Sequence, residues 1–389
     1  MKHFIQSVLV LLMVVATPFT VAASSMGVPP AETEHVKAEV IEIVDEQHDI
    51  DLGSGLLIDV QTFRAKILGG DQEGEIIEIE NTMLGNPAYD LWVSQGDHIL
   101  VVLETLPDGT LVGYLMDYAR DTYIYILLGI FALLLVFIGG RQGIKALITL
   151  AFTVLLIGYF TLPMLFRGLS PVLLALLTSL IASTVTFITV GGWTKKSFAA
   201  IFGAVGGLAI TALLSILVSY LANLKGMTGD EEQMLMYIPQ AIDFNFRGLL
   251  LAGIIIGALG AVMDTTMSIA STMDEIYKQN PSLTMKELIN SGMNVGKDVM
   301  GTMSNTLILA YAGASIPLFL LLMAYEQPFV KLINMDFLAT EVVRSLCGSI
   351  GLILAIPITA LIAGFLLKSE KQPTNLQEST NLQEQTKLQ

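Results

Sequence analysis

One carboxylate stands in the middle of a long apolar run. In "RGLLLAGIIIGALGAVMDTTMSIASTMDEI" that residue is Asp264. A bare charge at membrane depth costs roughly 2.5–3.5 kcal/mol on insertion scales, so the residue must be neutral, paired or facing water. Intramembrane carboxylates of this kind carry protons or ions, which makes Asp264 and Ser268 candidates for proton or ion coupling. Asn305 and Thr306, at the head of the next apolar run, are the candidate neutral partners of the carboxyl group. Positions three and four apart share a helix face. Around Asp264 these are Gly253, Gly257, Gly260, Ser268, Ser271 and Glu275, every one small or polar. The pattern predicts that Asp264 points into a helix-packed interior, with the glycines admitting a close neighbour.

Other runs carry similar faces. Gly203, Gly207, Thr211, Ser215 and Ser219 recur every four residues, and Ser179, Ser183 and Thr186 line another run. Tight packing and a hydrated path both fit such faces. Glu341 and Arg344 open the last apolar run as a candidate ion pair near the outer face. Arg344 falls two turns or more from the level of Asp264 and is not its expected partner. Pro317 and Pro357 are candidate helix breaks beside a cavity. Enzymatic chemistry is not expected. An aspartyl protease needs two carboxylates at depth, and only Asp264 lies there; a serine protease needs a base that none of these runs offers. All four histidines lie at or before His98, which removes the usual ligands of an intramembrane zinc site. No metal or cofactor is expected. The single cysteine, Cys347, permits no intrachain disulfide.

The elements that must position these residues are membrane spans. The chain has 389 residues, 53% of them hydrophobic and 14% charged, with mean hydropathy +0.68. After residue 121, seven apolar runs approach the ~20 residues that cross a bilayer: about 123–139, 144–163, 171–190, 198–222, 248–273, 306–323 and 346–367. The first two are separated by "GGRQG". Arg141, Lys145, Lys195, Lys196, Lys278, Lys286, Lys297 and Lys368 gather on one side if residues 24–121 lie outside, which predicts a cytoplasmic C-terminus. Between the fifth and sixth runs, residues 281–303 read as an amphipathic helix at the cytoplasmic surface or a connecting helix. Ser282, with Glu287 nearby, marks its expected start. The expectation is a polytopic α-helical membrane protein with seven spans over residues 122–368, followed by a polar tail, 369–389, with the repeat "TNLQE".

Residues 1–23 have a basic start, an apolar core and small residues at Val21 and Ala23, the pattern of a signal peptide or an uncleaved anchor. Residues 24–121 then read as an exported β domain. Short Val-, Ile- and Leu-rich runs alternate with Gly and Asp turns, suggesting a small OB- or SH3-like barrel. This segment holds 20 Asp and Glu against 4 Lys and Arg, a net of −16, while the rest of the chain is near neutral at +1. Such acidity excludes a nucleic-acid partner. The stretch "DEQHDIDLGSG" reads as a solvated acidic loop, since its spacing does not match an EF-hand.

Long motifs carry a resemblance. "GALGAVMDTTMSIASTMDEIYKQNP", "NVGKDVMGTMSNTLILAYAGASIPLFLLL", "EVVRSLCGSIGLILAIPITALIAG", "GGRQGIKALITL" and, in the β domain, "GEIIEIENTMLGNPAYDLWVSQGD" resemble the YibE/F-like family of bacterial membrane proteins. The resemblance covers nearly the whole chain after residue 23 and implies a multispanning protein of a bacterial plasma membrane. A fainter, partial resemblance to the Sec-accessory and RND-type proton-driven permeases implies that Asp264 carries protons. More spans precede Asp264 here, and the exported domain is far smaller. The expected function is a permease or export-assisting transporter, its cargo a small solute, an ion or an exported polypeptide. Beyond the bilayer, a second copy or another membrane protein is an open partner. The alternative is a scaffold or sensor whose β domain binds a protein or cell-wall component.

Overall fold

The computed structural model describes residues 33–51, 57–106, 110–238, 243–325 and 327–368. The expected signal segment, 1–23, and the "TNLQE" tail lie outside the described residues. Two compact units divide the chain near residue 134.

The first unit is a five-stranded antiparallel sheet. Its strands are β1 (Thr33–Asp51), β2 (Leu57–Ile67), β3 (Ile76–Met83), β4 (His98–Thr105) and β5 (Leu111–Tyr118), in the order β3-β2-β1-β4-β5. Alternation sends one face inward, where Phe63, Ala65, Ile67, Ile79, Ile99 and Val101 are wholly buried. The pairing of β1 with β2 shifts register after Val40, Ile43 and Gln47. Such bulges bend a strand and raise its twist, and the sheet curls into a half-barrel. At the closing seam Gly113 of β5 lies against Ile77 and Ile79 of β3, where a Cβ would collide with Ile77. The fully buried Gln61 holds the segment before β4: its Nε2 donates to the Val93 carbonyl at 2.9 Å and its Oε1 accepts from the Val93 amide at 3.0 Å. The expected acidic loop is partly strand, because residues 45–51 complete β1; residues 52–56 lie outside the described residues.

The second unit is helical. Its elements are α1 (Asp121–Leu156, whose start lies in the first unit), a π-turn (Ile157–Thr161), α2 (Leu162–Phe166), α3 (Pro171–Gly191), α4 (Lys195–Leu221), α5 (Asp230–Met234), α6 (Phe246–Gln279), α7 (Met285–Ala314), α8 (Ile316–Ala324), α9 (Phe329–Ile333) and α10 (Asp336–Lys368). Among the described residues, five helices are long and apolar enough to cross a membrane, or six if α7 and α8, bent by 58°, form one span. The expected seven runs differ from this count at the start. Runs one and two fall in a single 46-residue segment, Asp121–Phe166. That segment is interrupted at Gly140, whose φ of 53° and ψ of −129° are not helical. A Cβ on Gly143 would overlap the Leu135 carbonyl. In a continuous helix those residues stand about 12 Å apart along the axis, so the chain turns back at Gly140.

Small residues knit the helical core. On α4, Gly203 faces Thr359 of α10, Gly207 faces Ala355 and the Gly351 carbonyl, and Thr211 faces Gly351. Close backbone approach of this kind replaces the hydrophobic drive that lipid does not supply. The hydroxyls turn back on their own helices: Thr211 donates to the Gly207 carbonyl at 3.1 Å and Thr359 to the Ala355 carbonyl at 2.7 Å.

Two expectations about breaks and starts are corrected. Pro357 sits inside an unbroken α10, where buried Ala355, Ile356, Thr359 and Ala360 hold the turn in place. The expected break at Pro317 is present: the helix breaks at Ser315, with Pro317 in the first turn of α8. Helix α7 begins at Thr284, not Ser282. The Thr284 hydroxyl accepts from the Glu287 amide at 3.3 Å, and the Glu287 carboxylate accepts from the Thr284 amide at 2.8 Å, a reciprocal cap. Nor does this segment lie free as a surface helix. Leu288, Gly292 and Gly296 are buried, with Gly292 against Met273 of α6 and Gly296 against Ile356 of α10.

Candidate functional site

Asp264 occupies the centre of α6, a 34-residue helix capped by Asn245, whose Oδ1 accepts from the Gly248 amide at 2.8 Å. Ile254, Ile255, Ala258, Leu259 and Val262 pack inward. Gly253, Gly257, Gly260, Asp264 and Ser268 lie on the exposed side. The expectation that this small and polar face is buried is therefore corrected. Periodicity tells which residues share a face; it does not tell which way the face turns. Here the bulky opposite face fills the space between helices, and nothing lies within 4 Å of a Cβ on Gly253 or Gly260. Among the described residues, no side chain bonds or pairs with Asp264.

Two contacts set the level of its neighbours. Tyr311 of α7 rests its phenol oxygen over Gly257, and Gly292 abuts Met273. The helices thus run antiparallel, and counting from either contact puts Asp264 level with residues 301–304. The Ser304 hydroxyl there is buried without a partner among the described residues. Asp298, Thr302, Asn305 and Thr306 are exposed along α7. Thr306 donates to the Thr302 carbonyl at 2.9 Å. Asn305 and Thr306 thus lie within about a turn of the level of Asp264 without bonding it. Ser268 is exposed, and its carbonyl accepts from Thr272 at 2.8 Å. Gly203 and Gly207 sit apart from this face, in the α4–α10 seam. The small residues of α4 serve packing against α10.

A second polar group lies where α7 bends into α8. Arg344 Nη1 is 2.9 Å from Glu341 Oε1, and Ser315 Oγ donates to Glu341 Oε2 at 3.4 Å. The phenol of Tyr311 lies within the electrostatic reach of both charges. Sequence reasoning paired Glu341 with Arg344 but missed Thr340. The available signal was its position one turn before Arg344 on the same face.

Charges gather at the far end of α6. Asp274 lies 2.8 Å from Lys278 and 4.0 Å from Lys196, and Lys368 Nζ donates to the Pro281 carbonyl at 2.9 Å. In the β unit, Arg120 Nη1 is 2.5 Å from Asp117. That hydrogen bond, helped by the Tyr118 amide, holds the Asp117 carboxyl below its usual range against a smaller opposing effect of burial.

A family model described as YibE/F-like protein matches residues 127–369, and one described as YibE/F family N-terminal domain matches residues 33–118. No curated protein and no solved structure matches the chain.

Proposed function

The chain belongs to the YibE/F-like family, and we propose that it is a membrane permease or export-assisting transporter coupled to protons through Asp264. The observation that carries this reading is an unpartnered carboxylate at the centre of an apolar helix, on a face left open beside the polar row of α7. Lipid cannot cover that carboxylate cheaply; water reaching this open face can, and a hydrated carboxylate one turn from Ser268 and level with residues 301–304 of α7 is able to load and release a proton. We read the chain as seven spans, counting the two sides of the Gly140 turn separately and the bent α7–α8 pair as one. Lys196, Lys278 and Lys368 at one end of the bundle support a cytoplasmic placement of that end. The half-barrel is then exported. Its strand order, with β5 leaning on β3, supports an OB-like barrel. We read no enzymatic role.

The test needs no substrate. Purified protein, in detergent and in liposomes, is treated with dicyclohexylcarbodiimide across a pH series and the adduct mapped by mass spectrometry. The reagent attacks protonated carboxyls in apolar surroundings. Labelling of Asp264 that titrates with pH is the expected result. No labelling at any pH, while Glu275 reacts, would overturn the coupling role and leave the scaffold reading in its place.

A further inference from the structure

We propose that Arg344, Tyr311 and Thr340 form a binding site for a phosphate-type oxyanion at the bend between α7 and α8. The inference stands apart from Asp264 and rests on a count of donors and acceptors. Arg344 spends one N–H on Glu341, and its Nε is buried with no partner among the described residues. The Tyr311 hydroxyl is likewise buried and unpartnered, as is that of Thr340, a residue with no exposed surface. Glu341 is the charged acceptor among them, and each of its oxygens is engaged, one by Arg344 and one by Ser315; the two hydroxyl oxygens also accept, yet neither is bonded to Arg344. The N–H and O–H donors of the group thus stand without acceptors among the described residues. Buried donors left without acceptors are costly, and such groups in native proteins call for an explanation.

The geometry names the missing chemistry. A guanidinium presents a planar fork that matches phosphate oxygens. Thr340, one helical turn before Arg344, and Tyr311, within electrostatic reach of it, supply further donors to a tetrahedral anion. The Arg344 side chain is 28% exposed and that of Glu341 20%, which leaves a way in. The helix break adds to the case. Irregular backbone at membrane depth is tolerated where it is packed within protein or lines a cavity, and transporters place solute sites at broken helices. Here the break at Ser315 is tied to the same cluster by its bond to Glu341. Glu341 keeps Arg344 neutralised while the site is empty, and the anion takes over the guanidinium when it binds. The phosphate can belong to a free solute or to a lipid headgroup.

The experiment uses the purified full chain. Inorganic phosphate is titrated against thermal stability in detergent, and native mass spectrometry scores retained phosphatidylglycerol against a phosphate-free galactolipid. Two variants accompany the wild type: Tyr311→Phe, which removes one oxygen, and the charge-neutral double change E341Q/R344Q, which leaves no orphaned ion. Stabilisation by inorganic phosphate, weakened about fivefold by Tyr311→Phe and lost in the double variant, supports a free oxyanion. No response to inorganic phosphate, with phosphatidylglycerol retained selectively by wild type and lost from both variants, supports a headgroup. Binding of neither, or equal binding by wild type and variants, overturns the proposal.

Discussion

Gly351 on α10 leaves the space that the Thr211 hydroxyl of α4 occupies; a side chain on Gly351 would overlap that oxygen. The same exchange recurs one turn on, where Gly207 makes room for Ala355, and two turns on, where Gly203 makes room for Thr359. Because these contacts involve backbone or short side chains, nothing there can swing aside.

Gly351→Leu and Gly207→Leu are therefore expected to destabilise the helical unit by about 1–3 kcal/mol or more, the range of overpacking in a filled core. Gly260→Leu, on the open face, is expected to cost far less. Thermal unfolding of the three variants in detergent checks the order. Equal losses would mean that the face of Gly260 is covered.

Asp264→Asn keeps the shape of the side chain and removes its proton chemistry. The variant is expected to insert and unfold like wild type, yet fail to restore a deletion strain. Gly257→Leu, which would press on the Tyr311 hydroxyl, is expected to lower stability as well. Full complementation by the Asn variant would sink proton coupling through this residue.

The Gly140 turn decides sidedness. Counted as two spans, the segment on either side of it puts the β domain and Lys368 on opposite faces of the membrane; counted as one, it puts them on the same face. Cysteines placed in the β domain and near Lys368, in a Cys347→Ser background, report this through an impermeant thiol reagent on intact cells. The seven-span reading expects only the first to react.

Asp117 gives the β domain a predictable acid response. A carboxyl whose folded value lies below its unfolded one, about 3.9 for aspartate, adds stability at neutral pH that is lost as pH falls through the folded value. Asp117→Asn and Arg120→Gln should each lower amide protection in β5 at pH 7, and the gap to wild type should close well below pH 4. A gap unchanged down to the lowest pH would show that the Arg120 bond does not matter in solution. The effect is small, because the pair is exposed to solvent.

The sequence alone determined the class of the molecule. Runs of apolar residues near the length of a bilayer crossing read as membrane helices, and the period-two alternation of "GEIIEIE" suits a half-buried strand. Both signals are local, so they survive without knowledge of the fold. It also singled out Asp264, because a charge in an apolar run is conspicuous wherever the run packs. Tertiary structure decided the rest. The glycine faces of α4 and α6 look alike in sequence, yet one closes on α10 and the other, apart from Tyr311 over Gly257, stays open. Which face turns inward depends on the shape of the partner helix, and no spacing within one helix records that. The gathering of Tyr311, Thr340 and Arg344 at the α7–α8 bend, and the turn at Gly140, likewise depend on where separate segments meet in space.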